Sequence, residues 1–202
     1  MHHHFTNNLQ RDQVWVPHVW KEGNGQDERK SILTNIIDLI KMAVIGWPAY
    51  IGLNFTSSET KGFVSHFYSA SEIFTSEEAL KVHVSSAGVV GWLFILYKMC
   101  QMWGWGFMTR IYTIPIIVMF FFLTSITFLQ HTDEGVPHYN DEAWSWLRGA
   151  LCTVDRPAGR WIDEKLHFIH SHHVVHHLFS KLPSYNAPEA TEGLKKIVGE
   201  YY

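Results

Sequence analysis

Charge is scarce in this sequence. Lys, Arg, Asp and Glu make up 17% of its 202 residues, against about 25% in an ordinary soluble domain. The net charge of −3 and the lack of any basic stripe offer nothing to a nucleic acid, so none is expected as a partner. Cysteine is nearly missing too. Cys100 and Cys152 form no C-x-x-C pair and no disulfide framework, and both are expected to stay reduced. No apolar leader core opens the chain, so no cleaved signal peptide is expected. No repeat or low-complexity tract breaks it up. Hydrophobic residues, by contrast, reach 47% and aromatics 15%, with nine Trp. Amphipathic rings in such number suit membrane-water interfaces. Histidine is the outlier, with 14 copies.

The chain reads as a single domain. Residues 1–31 are polar and irregular and contain the loop-like run 21–28. Three apolar stretches follow. The first, 32–55, contains Asp38, Lys41 and Pro48 and is expected to lie in the interface as an amphipathic helix. The second, 82–103, and the third, 107–129, approach or pass the roughly 20 apolar residues a spanning helix needs. The core of the third, 111–129, carries no charge, and Pro115 near its start is tolerable in a membrane helix. Gly104-Trp105-Gly106 joins the two as a tight turn flanked by Trp rings. A transmembrane helical hairpin returns the chain to the side it left, so residues before 32 and after 129 share one membrane face. Arg148, Arg156, Arg160, Lys165, Lys181, Lys195 and Lys196 mark that face as cytoplasmic. The expected architecture is an all-α membrane protein: the hairpin, an interfacial helix, and a cytoplasmic helical cap over 130–202. In that cap 164–179 has helical character, Pro183 and Pro188 interrupt it, and a short helix follows near 190–198.

Six histidines fall between His167 and His177. Within them, His173-Val174-Val175-His176-His177 is an H-x-x-H-H box. On a helix, offsets of three and four residues share a face, so three imidazoles converge as a metal site requires. Imidazole suits zinc, copper, iron and nickel, and the box alone does not choose among them. A solvated His-rich helix is the bland alternative. His170 and His167 make the cluster denser than one ligand set needs. His131 ends the third apolar stretch and is, by itself, as readily an interfacial residue as a ligand. It does emerge on the same face as His173. His2-His3-His4 after Met1 looks like a tag or its remnant, though three histidines is short for one. His18, His66, His83 and His138 are scattered and read as structural.

These residues resemble the membrane fatty-acid desaturases, in the delta-12 (omega-6) and omega-3 branch. The segment from His173 to Ser180 is similar to that family's third histidine box. The likeness runs on through Pro183-Ser184-Tyr185-Asn186-Ala187 and Gly199-Glu200-Tyr201-Tyr202. It covers Leu129-Gln130-His131-Thr132, Trp144-Ser145-Trp146-Leu147-Arg148-Gly149-Ala150 and Thr153-Val154-Asp155-Arg156. Upstream it covers Gly46-Trp47-Pro48-Ala49-Tyr50 and Arg11-Asp12-Gln13-Val14-Trp15-Val16-Pro17. His2 and His3 stand where the closing pair of the family's second box belongs, while the first box, of H-x-x-x-H type, is not in this sequence. The chain therefore looks like part of a longer desaturase.

The resemblance implies two iron ions, dioxygen, and an acyl-lipid or acyl-CoA substrate that reaches the irons through an apolar tunnel. It implies cytochrome b5 as electron donor and the endoplasmic reticulum membrane as location. It assigns His2, His3, His131, His173, His176 and His177 as metal ligands. His167 and His170 become supporting or structural residues. Ligating imidazoles commonly donate their other N–H to a carboxylate or carbonyl. Asp155, Asp163 and Glu164 are equal candidates for that task. The implied reaction is delta-12 desaturation of oleoyl chains, with omega-3 desaturation or hydroxylation as alternatives. A truncated, non-catalytic membrane protein is the reading from another class. A His-rich metal transporter is disfavoured, because it would need ionisable groups inside its membrane helices and 111–129 has none.

Overall fold

The computed structural model describes residues 2–16, 31–58 and 62–202. The loop-like run 21–28, Pro17 and His18 lie outside the described residues. The described chain is helical, with α1 at His2–Phe5, α2 at Ile32–Leu53, α3 at Ala79–Trp103 and α4 at Trp105–Met108. It continues through α5 at Ile114–His131, α6 at Trp146–Leu151, α7 at Arg160–Lys165, α8 at His173–Leu178 and α9 at Ala187–Val198. No extended strand occurs among the described residues. A single bridge pairs Asn8 with Tyr139.

The chain divides into two compact units. One comprises Val19–Phe55 and Glu59–Ser125 and holds most of the apolar helices. In α2, the Ser31 hydroxyl accepts from the Thr34 N–H at 3.2 Å and so caps the first turn. Asn54, in the left-handed region at φ 55°, ends the helix. The sequence reading placed this stretch in the interface, yet α2 matches α3 and the α4–α5 segment in being long and apolar enough to cross a bilayer. Asp38 and Lys41 do not break it. Their charged atoms lie 3.9 Å apart on one exposed face.

Helix α3 starts earlier than its apolar pattern, because Thr75 and Glu78 form a reciprocal cap around the turn Ser76–Glu78. Gly104, at φ 87°, ends it. The next helix opens at Trp105, passes through a wide turn over Thr109–Thr113, and runs to His131. The Trp92 indole N–H donates to the Tyr112 hydroxyl at 2.8 Å, tying α3 to that wide turn. A Cβ on Gly46 would stand 2.9 Å from Thr124 Cγ2, so glycine permits the close approach of α2 and α5.

The other unit comprises Met1–His18, Thr56–Ser58 and Ile126–Tyr202. The end of α5 is fastened here. The Arg156 guanidinium donates to the Leu129 and Thr132 carbonyls at 2.8 and 3.3 Å, and the Val154 N–H donates to the Gln130 carbonyl at 2.9 Å. A helix end leaves carbonyls without partners, and a cation there satisfies both the bonds and the dipole. Gly149 in α6 lets the backbone after α1 come close, since a Cβ would meet the Thr6 carbonyl oxygen at 2.1 Å.

Helical character over 164–179 is interrupted in the structure. His167 and Phe168 both adopt left-handed backbone, at φ 52° and 60°, and the Phe168 N–H turns back to the Asp163 carbonyl at 2.7 Å. This turn separates α7 from α8. Pro188, expected to break the chain, instead sits in the first turn of α9, where a proline costs no backbone bond.

Candidate metal centre

Three elements far apart in sequence supply the rings. Helix α1 brings His2 and His3, the last turn of α5 brings His131, and α8 brings His173, His176 and His177. Four rings meet through their Nε2 atoms. The separations are 3.1 Å from His2 to His131, 3.0 Å from His131 to His173, and 3.0 Å from His173 to His177. His3 and His176 face each other through Nε2 at 3.2 Å. His131, His173 and His177 are buried, and His2 is nearly so.

The opposite edges of these rings decide the tautomers. His173 Nδ1 lies 2.8 Å from the Ile169 carbonyl, which can only accept. His2 Nδ1 lies 2.9 Å from the fully buried Asp12 carboxylate. His177 Nδ1 lies 2.9 Å from the Thr6 hydroxyl, whose proton is already donated to the His2 carbonyl at 2.8 Å. All three rings therefore donate from Nδ1 and hold a bare lone pair at Nε2. Three lone pairs aimed at one another in a dry space repel unless a cation sits among them. His2, His131 and His177 place their ligand atoms within 4.8 Å of one another and can hold a metal ion. The donor set is all imidazole, with no thiolate.

Burial supports the same protonation state. Desolvation pushes His173 down to about 3, and it holds His177 well below the ordinary histidine range. It pulls His3 down to about 4, with the neighbouring His176 and His2 adding to the effect. Neutral imidazole is the form that binds metal.

The structure separates the carboxylates that the sequence could not. Asp155 accepts from the Val174 N–H at 2.9 Å and from the Tyr202 hydroxyl, so it fastens the start of α8 rather than a ring. Asp163 Oδ1 lies 2.9 Å from His170 Nε2, away from the converging rings. Glu164 is exposed and pairs with Arg160 at 2.8 Å. His170 is buried, while His167 is exposed on its left-handed turn. The carboxylate that touches the cluster is Asp12, which sequence reasoning quoted in a motif but gave no role. It also accepts from the N–H groups of Val14, Trp15 and Asn7, at 3.0, 3.3 and 3.2 Å. Thr6 and the Ile169 carbonyl were missed as well. A threonine and a backbone oxygen leave no distinctive mark on a sequence. The trace Asp12 leaves in the sequence is its place in the motif Arg11-Asp12-Gln13-Val14-Trp15-Val16-Pro17. In the other unit, His66 contacts the Tyr50 hydroxyl and the Ile51 carbonyl, and His83 lies beside Ser69.

The family model for fatty acid desaturases matches residues 1–202. A delta(12)-oleate desaturase of Trichosanthes kirilowii is 42% identical over all of this chain and 54% of its own length. A delta(12)-fatty-acid desaturase of Arabidopsis thaliana is 40% identical over all of this chain and 52% of its own. A delta(12) acyl-lipid conjugase of Momordica charantia is 39% identical over all of this chain and 51% of its own. The chain thus spans about half the length of the curated relatives it matches, and no solved structure matches it significantly. With the histidine geometry and a family match that runs from end to end, the chain belongs to the fatty acid desaturase family.

Proposed function

We propose that this chain is part of an acyl-chain desaturase that introduces the delta-12 double bond into oleoyl lipids, using two iron ions. The observation that carries this reading is the convergence of six histidines from three elements, with Nδ1 protons turned outward onto Asp12, Thr6 and Ile169. His2, His131, His173 and His177 are the ligands of one group. His3 and His176 belong to a second, completed by the rest of the protein. Iron, when bound, supplies the oxidant that dioxygen and two electrons generate for attack on an unactivated methylene. The protein's part is to hold neutral imidazoles in place and keep bulk water from the buried rings. The relatives' names, a delta(12)-oleate desaturase and a delta(12) acyl-lipid conjugase, favour oleoyl as substrate and a lipid as acyl carrier. Cytochrome b5 and the endoplasmic reticulum complete the reading as electron donor and site.

Topology fits. His2 and His131 touch, so both ends of the intervening chain share one membrane face. The number of crossings between them is then even. The α3–α5 hairpin supplies two, and α2, though long and apolar enough to cross, is then read as lying in the interface.

The test is expression of the complete gene in a desaturase-free host fed oleate, with acyl chains analysed by gas chromatography. A new 18-carbon diene is expected, and its absence sinks the reading. These 202 residues expressed alone are expected to yield none, because His3 and His176 by themselves are too few ligands.

A further inference from the structure

Within the histidine-bearing unit, a small cavity is walled by His167, Phe168, His172, His176, Ser184 and Ala187, among others. We propose that this cavity is a water-filled port, serving proton uptake and water release at the His3–His176 end of the metal centre. The proposal rests on the desaturase reading for its chemistry and on the following geometry for its place.

His176 is the member of the third box that is not buried, whereas His173 and His177 on the same helix are. The cavity lies against that half-open ring. Its outer wall carries the exposed His167 and Ser184, so it reaches from solvent to a proposed ligand. Its volume is about 40 Å³. One water needs about 10–15 Å³ by this measure, so about three fit. Binding pockets for larger ligands run to roughly 300 Å³ and above, so no acyl chain enters here. Three imidazoles and a hydroxyl provide the polar partners that a buried water requires.

A contrast with the other rings points the same way. His2, His173 and His177 each have a protein partner at Nδ1. For His3 and His176, the hydrogen-bond-range contact shown among the described residues is their mutual Nε2 approach. Water in the cavity would reach His176, which lines it. The wall is also held in an unfavourable shape, since His167 and Phe168 are consecutive non-glycine residues in left-handed backbone. Such conformations persist where the surroundings enforce them and gather at functional sites.

The reaction needs such a route. Removing two hydrogens from an acyl chain with dioxygen, and two electrons from a one-electron carrier, takes up two protons and forms two waters. The acyl chain approaches through apolar surroundings, so the aqueous traffic requires a separate polar path.

The test uses the full-length, iron-loaded protein in detergent or nanodiscs, with azide as probe, followed by stopped-flow absorbance. Ser184→Leu blocks the exposed rim and Ala187→Leu fills the floor. Both are expected to slow azide binding at least tenfold with iron content unchanged, and to raise the peroxide released per double bond formed. Wild-type azide rates in the iron-replete variants overturn the port, and so does loss of iron from Ser184→Leu. If Ala187→Leu does not fold, Ser184→Leu decides alone. If the wild-type protein forms no diene, the desaturase reading falls, and the azide rates still decide the port.

Discussion

The two units are built in opposite senses. In the histidine-bearing unit the most deeply buried side chains are His131, His177, Gln130, Asn7, Asn8, Thr6, Thr191, Asp12 and Val175, of which all but valine are polar. In the other unit the long helices expose their apolar residues, with Val90 at 66%, Leu93 at 58% and Phe94 at 60%. A water-soluble protein would reverse both patterns. The difference teaches what each part is solvated by. Lipid covers the helices, where only intrahelical bonds satisfy the backbone. The polar interior is tied together by bonds such as those of Asp12 to His2 and Asn7, and its histidines can hold a metal ion.

That contrast can be broken on its polar side first. His173→Ala removes the ring that touches both His131 and His177 through Nε2. It is expected to abolish metal retention in the full-length protein, as read by elemental analysis. Asp12→Ala leaves His2 in place but frees its Nδ1 proton. Loss of such a supporting carboxylate costs about 10–100-fold in metal affinity, measurable by competition with a chelator. Asp155→Ala, which touches no ring, should cost far less affinity, and an equal loss would erase the distinction between the two carboxylates.

Acid should act on the same unit. Burial holds His173 at about 3, below the ordinary value of 6.5. As pH falls below 6.5 the unfolded chain takes up a proton that the fold refuses. Stability contributed by this ring is therefore lost progressively from pH 6.5 down to about 3, at up to roughly 1.4 kcal/mol per pH unit. Metal release and loss of circular dichroism are expected to follow that window, and bound metal moves it to lower pH.

The smallest effect lies on the apolar side. Trp92→Phe removes the indole bond to Tyr112, worth about 0.5–1.5 kcal/mol. Thermal unfolding in detergent should show this small loss with metal content unchanged. A drop in metal content would mean that the two units are coupled in a way their separate construction does not suggest.

Some of this was legible in advance. Apolar runs of sufficient length, broken by Gly104, dictate α3 and the helix ending at His131, because lipid leaves an apolar chain no other way to satisfy its backbone. The spacing in His173-Val174-Val175-His176-His177 dictates a shared helical face. The boundaries were less legible. The start of α3 depends on the Thr75–Glu78 cap, a contact that hydropathy ignores, and α2 has the length and apolarity to span despite its charged pair. The break between α7 and α8 depends on left-handed backbone at His167 and Phe168, which neither residue type advertises.

The sequence by itself determined which chemistry was available: neutral nitrogen ligands in excess, no thiolate pair, and helices suited to a bilayer. These follow from residue type and periodicity, which are local. Only the tertiary structure decided which histidines meet, and that Asp12 rather than Asp155, Asp163 or Glu164 orients a ring. Those facts depend on bringing α1, the end of α5 and α8 together across more than a hundred residues, and no local pattern encodes where a distant carboxylate, hydroxyl or carbonyl will come to rest.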